Sequence, residues 1–146
     1  MVSSSSWRFR AAADTAAEAE RFTALSNSLY ARPVTPAYYR WQFHQPPFPS
    51  ELTLAEGADQ TLAGAYAFHH REANDSHSLA MALDIMITPA AQGTGLFRQL
   101  YQAAVERARG RSPSALYVMA NQRAAAVHAG ALGWSQVQTF RDYVAP

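Results

Sequence analysis

The sequence predicts one domain of the mixed α/β class over residues 1–146, with a central mixed sheet and helices on both faces. A length of 146 residues suits a single sizeable core. Mostly apolar segments joined by short polar connections, typical of an antiparallel meander, lie at residues 51–56, 61–70 and 78–88. An amphipathic helix at residues 96–109 and a short apolar strand at residues 115–119 follow, and this order indicates a parallel pair.

Composition excludes several classes of protein and partner. Apolar residues make up 49% of the chain and charged residues 16%, which favours a compact domain over a disordered chain. The formal net charge of +1 gives no field that would attract nucleic acid or an anionic membrane. The absence of cysteine excludes disulfides, thiolate metal ligands and a catalytic thiol. The sequence shows neither a membrane-spanning segment nor the apolar region of a signal peptide, so we expect a cytoplasmic protein.

The first elements are a strand and an amphipathic helix. Residues 7–10 alternate apolar and polar side chains, as a strand does, and an Ala-rich helix follows over residues 14–29. Thr15 and Glu18 fit a capping box at the start of this helix. Its core positions recur at helical spacing, at Phe22, Leu25 and Leu29. We expect its charged residues to face water, namely Glu18, Glu20 and Arg21.

The segment at residues 31–50 is rich in proline and aromatic residues. Within it, residues 35–43 suit a short helix, with Thr35 as the cap and Pro36 in the first helical position. The remainder predicts a loop that leads into the meander.

The clearest helix spans residues 96–109, and Gly110 ends it. Its apolar stripe comprises Phe97, Leu100, Tyr101, Ala104, Val105 and Ala108. After the strand at residues 115–119, Asn121 caps another Ala-rich helix that extends to about Ala131. The sequence Leu132-Gly-Trp134 then leads into a last predicted strand.

The most informative segment is the turn before the helix at residues 96–109. An apolar strand stops at Pro89, and the chain then turns through Gly93 and Gly95 directly into the helix. Backbone N–H groups of a Gly-rich turn and the positive end of a helix dipole bind phosphate oxygens without a charged side chain. No Gly-Lys-Ser/Thr is present, which excludes a Walker A loop, and no third glycine completes a dinucleotide-binding G-x-G-x-x-G.

Two motifs in this half of the chain occur together in one superfamily. The first, Gln92-Gly-Thr-Gly-Leu-Phe97, resembles the Q/R-x-x-G-x-G/A turn of the GNAT superfamily of acyl-CoA N-acyltransferases. Phe97 stands where that superfamily usually has Gly or Ala. The second, Asn121-Gln-Arg-Ala124 followed by Leu132-Gly-Trp134, is similar to its N-x-x-A/S helix and L-G-F/W strand. The predicted order of strands and helices also matches the GNAT fold, so the resemblance covers most of the chain.

The resemblance implies that acetyl-CoA or another acyl-CoA is the co-substrate. We expect no metal, because the adjacent His69 and His70 point to opposite faces of a strand and no H-x-x-x-H spacing accompanies them. The backbone of Ile87 and Thr88 is expected to pair with pantetheine as another strand would, and the turn at residues 93–97 is expected to hold the pyrophosphate. Arg98 is a candidate for the CoA phosphates, although a solvated helix face explains it equally well. The expected cofactor contacts are Met86, Ile87, Thr88, Gln92, Gly93, Thr94, Gly95, Leu96, Phe97, Arg98 and Asn121.

Acyl transfer to an amine needs a base for the ammonium proton, and Asp84 is the candidate. We expect one face of its strand to carry Leu83, Ile85 and Ile87. Asp84 would then lie on the other face with Met86 and Thr88, near the thioester that the resemblance implies. A core aspartate that bonds to neighbouring backbone is the alternative.

The same reaction needs an acid for the leaving thiolate. The superfamily often has a Tyr seven residues after the Asn of the second motif, and here that position is His128. A solvent-facing helical histidine is the alternative reading of His128. Tyr117, on the neighbouring strand, is a second candidate acid, with core packing as its alternative.

The resemblance also places the aromatic segment at residues 31–50 on the acceptor side. The candidate acceptor contacts are Tyr39, Trp41 and Phe43, and an aromatic wall would suit an apolar or aromatic acceptor or a longer acyl chain. The prediction is an N-acyltransferase, most simply an N-acetyltransferase, that acts on a primary amine of a small or amino-acid-like molecule. The alternatives are a non-catalytic acyl-CoA-binding or regulatory module and an acyltransferase with a carrier-protein donor. Few residues follow Gly133, so an exposed sheet edge predicts a homodimer.

Overall fold

A computed structural model of the protein describes residues 6–137. Its strands are β1 (Arg8–Ala11), β2 (Ser50–Glu56), β3 (Leu62–Asn74), β4 (His77–Ile87) and β5 (Ala115–Val118). Its helices are α1 (Ala16–Leu29), α2 (Pro36–Phe43), α3 (Leu96–Arg109) and α4 (Gln122–Ala131). A 3₁₀ turn at Pro89–Ala91 follows β4.

The described strands form one mixed sheet in the order β1-β2-β3-β4-β5. Neighbours from β1 to β4 pair antiparallel, and β5 pairs parallel to β4 after the α3 crossover. The predicted meander and parallel pair are therefore confirmed. Pairing between β3 and β4 continues as far as Asn74 and His77, so β3 extends beyond its predicted end at residue 70 and β4 begins one residue before its predicted start. A tight turn therefore joins the two strands, where the sequence predicts a longer polar connection.

Helices cover both faces of the sheet, as predicted. α1 and α2 bury one cluster, whose largest members are Phe22, Tyr39, Phe43, Leu54 and Met86. α3 buries the other, whose members include Tyr66, Phe68, Leu96, Leu100 and Val105. Because side chains alternate along a strand, each strand residue contributes to one cluster only. Burial of each of these large side chains stabilises the fold by about 2 kcal/mol.

Three helices begin with a predicted side-chain cap, and α3 does not. Backbone N–H groups donate to Thr15 Oγ1 at 3.1 Å, Thr35 Oγ1 at 3.3 Å and Asn121 Oδ1 at 2.9 Å. α3 is preceded by Gly95, which has no side chain to serve as a cap. The first N–H groups of α3 are therefore left for another acceptor.

The alternation of β4 breaks at Asp84. The pairs on either side of the break are Ala65 with Met86 and Ala67 with Leu83. Tyr66 of β3 therefore faces two residues of β4, Asp84 and Ile85, and this is a β-bulge. Asp84 adopts a left-handed conformation with φ 47°, which is uncommon for a residue with a side chain.

The bulge corrects one prediction about this strand. Leu83 packs on the α1–α2 face, whereas Ile85 and Ile87 pack on the α3 face. The prediction that these three side chains share a face was wrong because the extra residue shifts the alternation. Asp84 still lies opposite Ile85, on the α1–α2 side, where it contacts α2.

An ion-pair network corrects a second prediction. Glu18 is 5% exposed rather than directed into water, and its carboxylate binds Arg10 at 3.0 Å and Arg21 at 3.4 Å. Glu56 of β2 is 1% exposed and binds the same two arginines and Arg8. Hydrogen bonds from Arg10, assisted by Arg8 and Arg21, lower the pKa of Glu56 to about 2 against the opposing effect of burial. Helical spacing alone could not reveal the partners on β1 and β2.

The chain after α4 is described only in part. The Trp134 N–H donates to the His128 carbonyl at 3.0 Å and folds the chain back on α4. Residues 134–137 form no strand, and the remainder of the predicted last strand lies outside the described residues.

Candidate active site

β5 covers only part of the adjacent edge of β4. The parallel pairing runs from Leu79 with Ala115 to Ala82 with Val118. Beyond Ala82, no strand within residues 6–137 pairs with this edge of β4. The sheet therefore opens into a gap between the carboxyl ends of β4 and β5.

The backbone of Ile87 points into this gap. The Thr88 N–H donates to the Ala63 carbonyl at 2.9 Å, on the β3 side. Because successive residues of a strand direct their polar groups to opposite edges, those of Ile87 face away from β3. The sequence predicts backbone contacts to pantetheine from Ile87 and Thr88. Of these two residues, Ile87 directs its N–H and C=O towards the gap, whereas Thr88 bonds to β3. The side chain of Met86 is buried in the α1–α2 cluster, so it packs in the core and does not face the gap.

The turn that follows β4 requires glycine for its conformation. Gly93 has φ 76° and Gly95 has φ 82°, and both values lie in the left-handed region that favours glycine. A Cβ at Gly93 would meet nothing within 4 Å, and one at Gly95 would meet only Gln99 Nε2 at 3.9 Å. The surface of the turn is therefore open. An anion of phosphate size can approach its N–H groups.

Side chains of the turn are engaged with neighbouring backbone. Thr94 Oγ1 donates to the Ala91 carbonyl at 2.7 Å, so its hydroxyl hydrogen is not available for a phosphate oxygen. Gln92 Nε2 donates to the outward-facing Ile87 carbonyl at 3.4 Å. Gln92 thus links the turn to the free edge of β4.

The first turn of α3 anchors the loop and borders α4. Leu96 is fully buried beneath the turn. Phe97 packs against the His128 ring, with centroids 6.3 Å apart. Arg98 Nη2 donates to the Ala131 carbonyl at 3.4 Å and connects α3 to the end of α4. The predicted phosphate contacts from residues 96–98 can come from their backbone N–H groups, which have no acceptor in the helix.

Asp84 is a partly buried carboxylate beside the gap. Gln42 Nε2 of α2 donates to Asp84 Oδ2 at 3.4 Å. No ion pair reaches Asp84 from residues 6–137. Burial raises the pKa of Asp84 above its ordinary value, and the Gln42 amide offsets part of that effect. A carboxylate with a raised pKa at such a position suits a general base.

His128 is buried, at 3% exposure, rather than directed into solvent. Its Nδ1 lies 2.7 Å from the Ala124 carbonyl, which can only accept, so Nδ1 carries a hydrogen. Its Nε2 lies 3.1 Å from the hydroxyl of Tyr66, which therefore donates to it. Neutral His128 in this arrangement has no proton to donate from Nε2.

The family of the chain can now be assigned. A family model described as the acetyltransferase (GNAT) family matches residues 15–134, and this range includes the turn, Asp84 and His128. The chain belongs to the GNAT family. It is an acyltransferase, of a family that uses acetyl-CoA. Comparison with curated protein sequences finds no similar sequence.

Solved structures confirm the GNAT fold. AAC(6')-Iy in complex with the bisubstrate analogue CoA-S-monomethyl-acetylneamine is similar with a TM-score of 0.76 and 16% identity, over 97% of this chain and 99% of that one. Glucosamine-6-phosphate N-acetyltransferase from Arabidopsis thaliana gives 0.74 and 8%, over 95% and 98%. A transcriptional regulator from Bacillus halodurans gives 0.75 and 16%, over 96% and 100%. Identities this low show a shared fold.

Two further predicted residues of this GNAT domain lie near the gap. Tyr117 pairs with Met81, one position before the last pair of β4 and β5. Leu116 and Val118 pack on the α3 face, so alternation puts Tyr117 on the opposite face from His128. Asn121 Oδ1 accepts from the Ala124 N–H as a cap of α4, which fixes the Asn121 side chain at the start of that helix.

The predicted acceptor-side aromatics do not lie together. Tyr39 and Phe43 are core residues, packed on Phe22 with ring centroids 5.2 Å apart in each case. Trp41, by contrast, is 61% exposed. Tyr39 and Phe43 therefore hold α2 on the sheet and cannot touch an acceptor, because buried side chains offer it no surface.

Three residues near the candidate site were not predicted from the sequence, namely Tyr30, Gln42 and Tyr66. Gln42 bonds Asp84 and Tyr66 bonds His128, and both partners are distant in the sequence. Tyr38 lies one helical turn before Gln42, a spacing that could have indicated a shared face. No sequence signal pointed to Tyr66, which follows the pattern of an ordinary core strand.

Potential metal ligands are dispersed in the described part of the chain. No group of three or more His, Asp and Glu within residues 6–137 is placed to hold a metal ion. His69 contacts the Phe43 ring, whereas His70 bonds Glu51 at 3.0 Å. No helix within residues 6–137 is long and apolar enough to cross a membrane.

Proposed function

We propose that this GNAT enzyme transfers an acetyl group from acetyl-CoA directly to a primary amine of a small molecule. The observation that carries the proposal is the junction of the free β4 edge with the open Gly93-Thr-Gly95 turn before α3. Pantetheine has amide groups that can pair with a strand edge, and the pyrophosphate has oxygens that accept from the turn and helix N–H groups. The two sites are consecutive in the chain, as the two parts of one ligand require.

The acceptor side of the proposal rests on Asp84. An amine is protonated at neutral pH and must lose a proton before its nitrogen can attack the thioester carbonyl. Asp84 receives that proton, the N–C bond forms, and the C–S bond then breaks. The raised pKa makes Asp84 a stronger base than an exposed aspartate. The bulge also removes a backbone N–H of β4 from the β3 ladder, so that it can stabilise the oxyanion.

The leaving thiolate needs a proton, and the attacking nitrogen must lose a second one. Tyr66 is 0% exposed and His128 is 3% exposed, so neither side chain reaches the thiolate, and the Tyr66 hydroxyl donates to His128 Nε2 instead. In our proposal water at the open gap carries the second nitrogen proton to the thiolate, and the buried pair holds α4 against the sheet.

The acceptor is proposed from two fold neighbours. One is named for glucosamine-6-phosphate, and another, from Acinetobacter haemolyticus, is an aminoglycoside antibiotic 6'-N-acetyltransferase. Both names describe transfer to an amine nitrogen of a small molecule. The same chemistry is proposed for this chain, with the particular amine left to the experiment.

The test is a turnover assay with acetyl-CoA and a panel of primary amines. Released CoA thiol is measured with a thiol reagent, for which this cysteine-free chain gives no background, and the acetylated amine is identified by mass spectrometry. Asp84→Asn should lower kcat/KM by at least about a hundredfold. Asp75→Asn, in the exposed β3–β4 turn, is the matched control and should leave kcat/KM unchanged. Thiol release without any acetylated amine would contradict the proposal.

The homodimer is also retained as a proposal. β5 ends the sheet within residues 6–137, so its outer edge has no strand partner in that part of the chain. Unpaired edges are often covered by another copy of the same chain. Light scattering at micromolar concentration should give the mass of two chains, and the mass of one chain would remove the proposal.

A further inference from the structure

The outer face of α2 carries a polar and aromatic stripe directed at Asp84. Tyr38, Trp41 and Gln42 are spaced at i, i+3 and i+4, which places them on one helix face. Gln42 Nε2 donates to Asp84 Oδ2 at 3.4 Å, which fixes that face against the β4 bulge. The rings of Tyr38 and Trp41 lie 5.8 Å apart. The aromatic stripe therefore borders the carboxylate.

A third aromatic residue reaches the same place from the end of α1. Tyr30 is 48% exposed, and its hydroxyl donates to the Ile85 carbonyl at 3.2 Å, next to Asp84 in the chain. Burial, and then the charge of Asp84, raise the pKa of both Tyr30 and Tyr38. Both hydroxyl groups thus lie within the electrostatic field of the same carboxylate.

The charge that Asp84 places in this region is negative and is not balanced by an ion pair within the described residues. Asp84 has no ion-pair partner within residues 6–137. Aromatic faces attract organic cations, and the carboxylate supplies one full negative charge. Among the groups of residues 6–137 that surround Asp84, a second ammonium group of a ligand would find no second carboxylate, and a phosphate on the ligand would be repelled by Asp84.

We propose that the acceptor is a monoamine whose ammonium group is attached to an aromatic or apolar body. This inference rests on the proposed function and names the substrate class of that same site. The ammonium group lies at Asp84, and the body lies against Tyr30, Tyr38 and Trp41. Tyr39 and Phe43 hold α2 on the sheet from behind, so the stripe is a preformed surface.

The experiment compares kcat/KM for four amines with the full chain and acetyl-CoA. They are 2-phenylethylamine, ethylamine, glucosamine-6-phosphate and neamine. We expect 2-phenylethylamine to exceed ethylamine by at least about tenfold, a gain within the range of aromatic and cation–π contacts, and to exceed both aminosugars. Trp41→Ala should remove most of this ratio, and Trp41→Phe should restore part of it. Trp41 is exposed, so neither change threatens the fold.

Phe48→Ala is the control. Phe48 belongs to the aromatic segment at residues 31–50, but its ring faces Arg71, which lies five residues along β3 from Tyr66, the residue opposite Asp84. This variant should keep the ratio of the unmodified protein. A preference for either aminosugar, or a ratio that Trp41→Ala leaves unchanged, would overturn the inference while acetyl transfer to amines stands. Acetylation of none of the four amines, with acetyl-CoA still bound, would instead remove the proposed function and this inference with it.

Discussion

Replacement of Gly95 by alanine tests whether the turn binds the pyrophosphate in its left-handed conformation. Gly95 has φ 82° and ψ 0°, and an added Cβ would meet only Gln99 Nε2 at 3.9 Å. The cost of Gly95→Ala is therefore conformational rather than steric, and a left-handed alanine costs about 1–2 kcal/mol. This cost can lower the stability of the free protein. Alternatively, the turn of the free variant relaxes to an unstrained conformation. Acetyl-CoA must then restore the strained conformation when it binds, so the cost weakens acetyl-CoA binding instead.

Either route leads to the same state with acetyl-CoA bound. The free energy of unfolding at saturating acetyl-CoA should therefore fall by about 1–2 kcal/mol, which is a factor of about 5–30 in the unfolding equilibrium. Urea unfolding with and without the ligand, together with calorimetric titration, separates the two routes.

The matched control is Gly130→Ala in α4. A Cβ at Gly130 would meet nothing within 4 Å, and no positive φ is involved. This change should stabilise the protein by about 0.5–1 kcal/mol and leave acetyl-CoA affinity unaltered. If Gly95→Ala behaves like Gly130→Ala in the presence of acetyl-CoA, the bound turn is not left-handed at this position and the reasoning is refuted.

Three further predictions concern charge and protonation. Glu56→Gln should destabilise the protein by about 3 kcal/mol at neutral pH, since the pKa of Glu56 is lowered from 4.5 to about 2 in the folded state. That stabilisation is complete above pH 4.5 and is lost as the pH falls towards 2, so urea unfolding curves of variant and wild type should converge there; a constant difference would contradict the assignment. Tyr66→Phe should cost about 1–3 kcal/mol because it leaves buried His128 Nε2 without a donor, whereas Tyr66→Phe with His128→Phe should cost less than the sum of the single changes. An additive double-mutant cycle would show that the two side chains are not coupled. The kcat/KM for amine acetylation should rise with pH through a pKa above that of an ordinary aspartate, and Asp84→Asn should abolish this acidic limb.

Local signals in the sequence were sufficient for the elements up to the end of α4 at Ala131 and for their order. Thr15, Thr35 and Asn121 each precede a helix and cap it as predicted, because a cap involves residues only three positions apart. The turn through Gly93 and Gly95 was identified for the same reason, since left-handed conformations select glycine at particular positions.

What the sequence could not supply are contacts between distant residues. Glu18 was expected in water because helical spacing does not show that Arg10 of β1 reaches it. The β4 bulge depends on the register with β3, so a strict two-residue alternation misplaced Leu83. The sequence of α4 suits His128 as a surface residue as readily as an acid, because its partner Tyr66 is 62 positions away in the chain. These are also the contacts that shape the candidate site.

The most direct test of the central claim is calorimetric titration of the protein with acetyl-CoA, acetyl-4'-phosphopantetheine and acetyl-pantetheine. The last compound keeps the thioester and the strand-like amides but lacks every phosphate. The account predicts micromolar affinity for acetyl-CoA and at least about a tenfold loss for acetyl-pantetheine, because the N–H groups at Gly93, Gly95 and the start of α3 then have no anion to bind. Equal affinity for the three compounds, or no binding of acetyl-CoA, would contradict it.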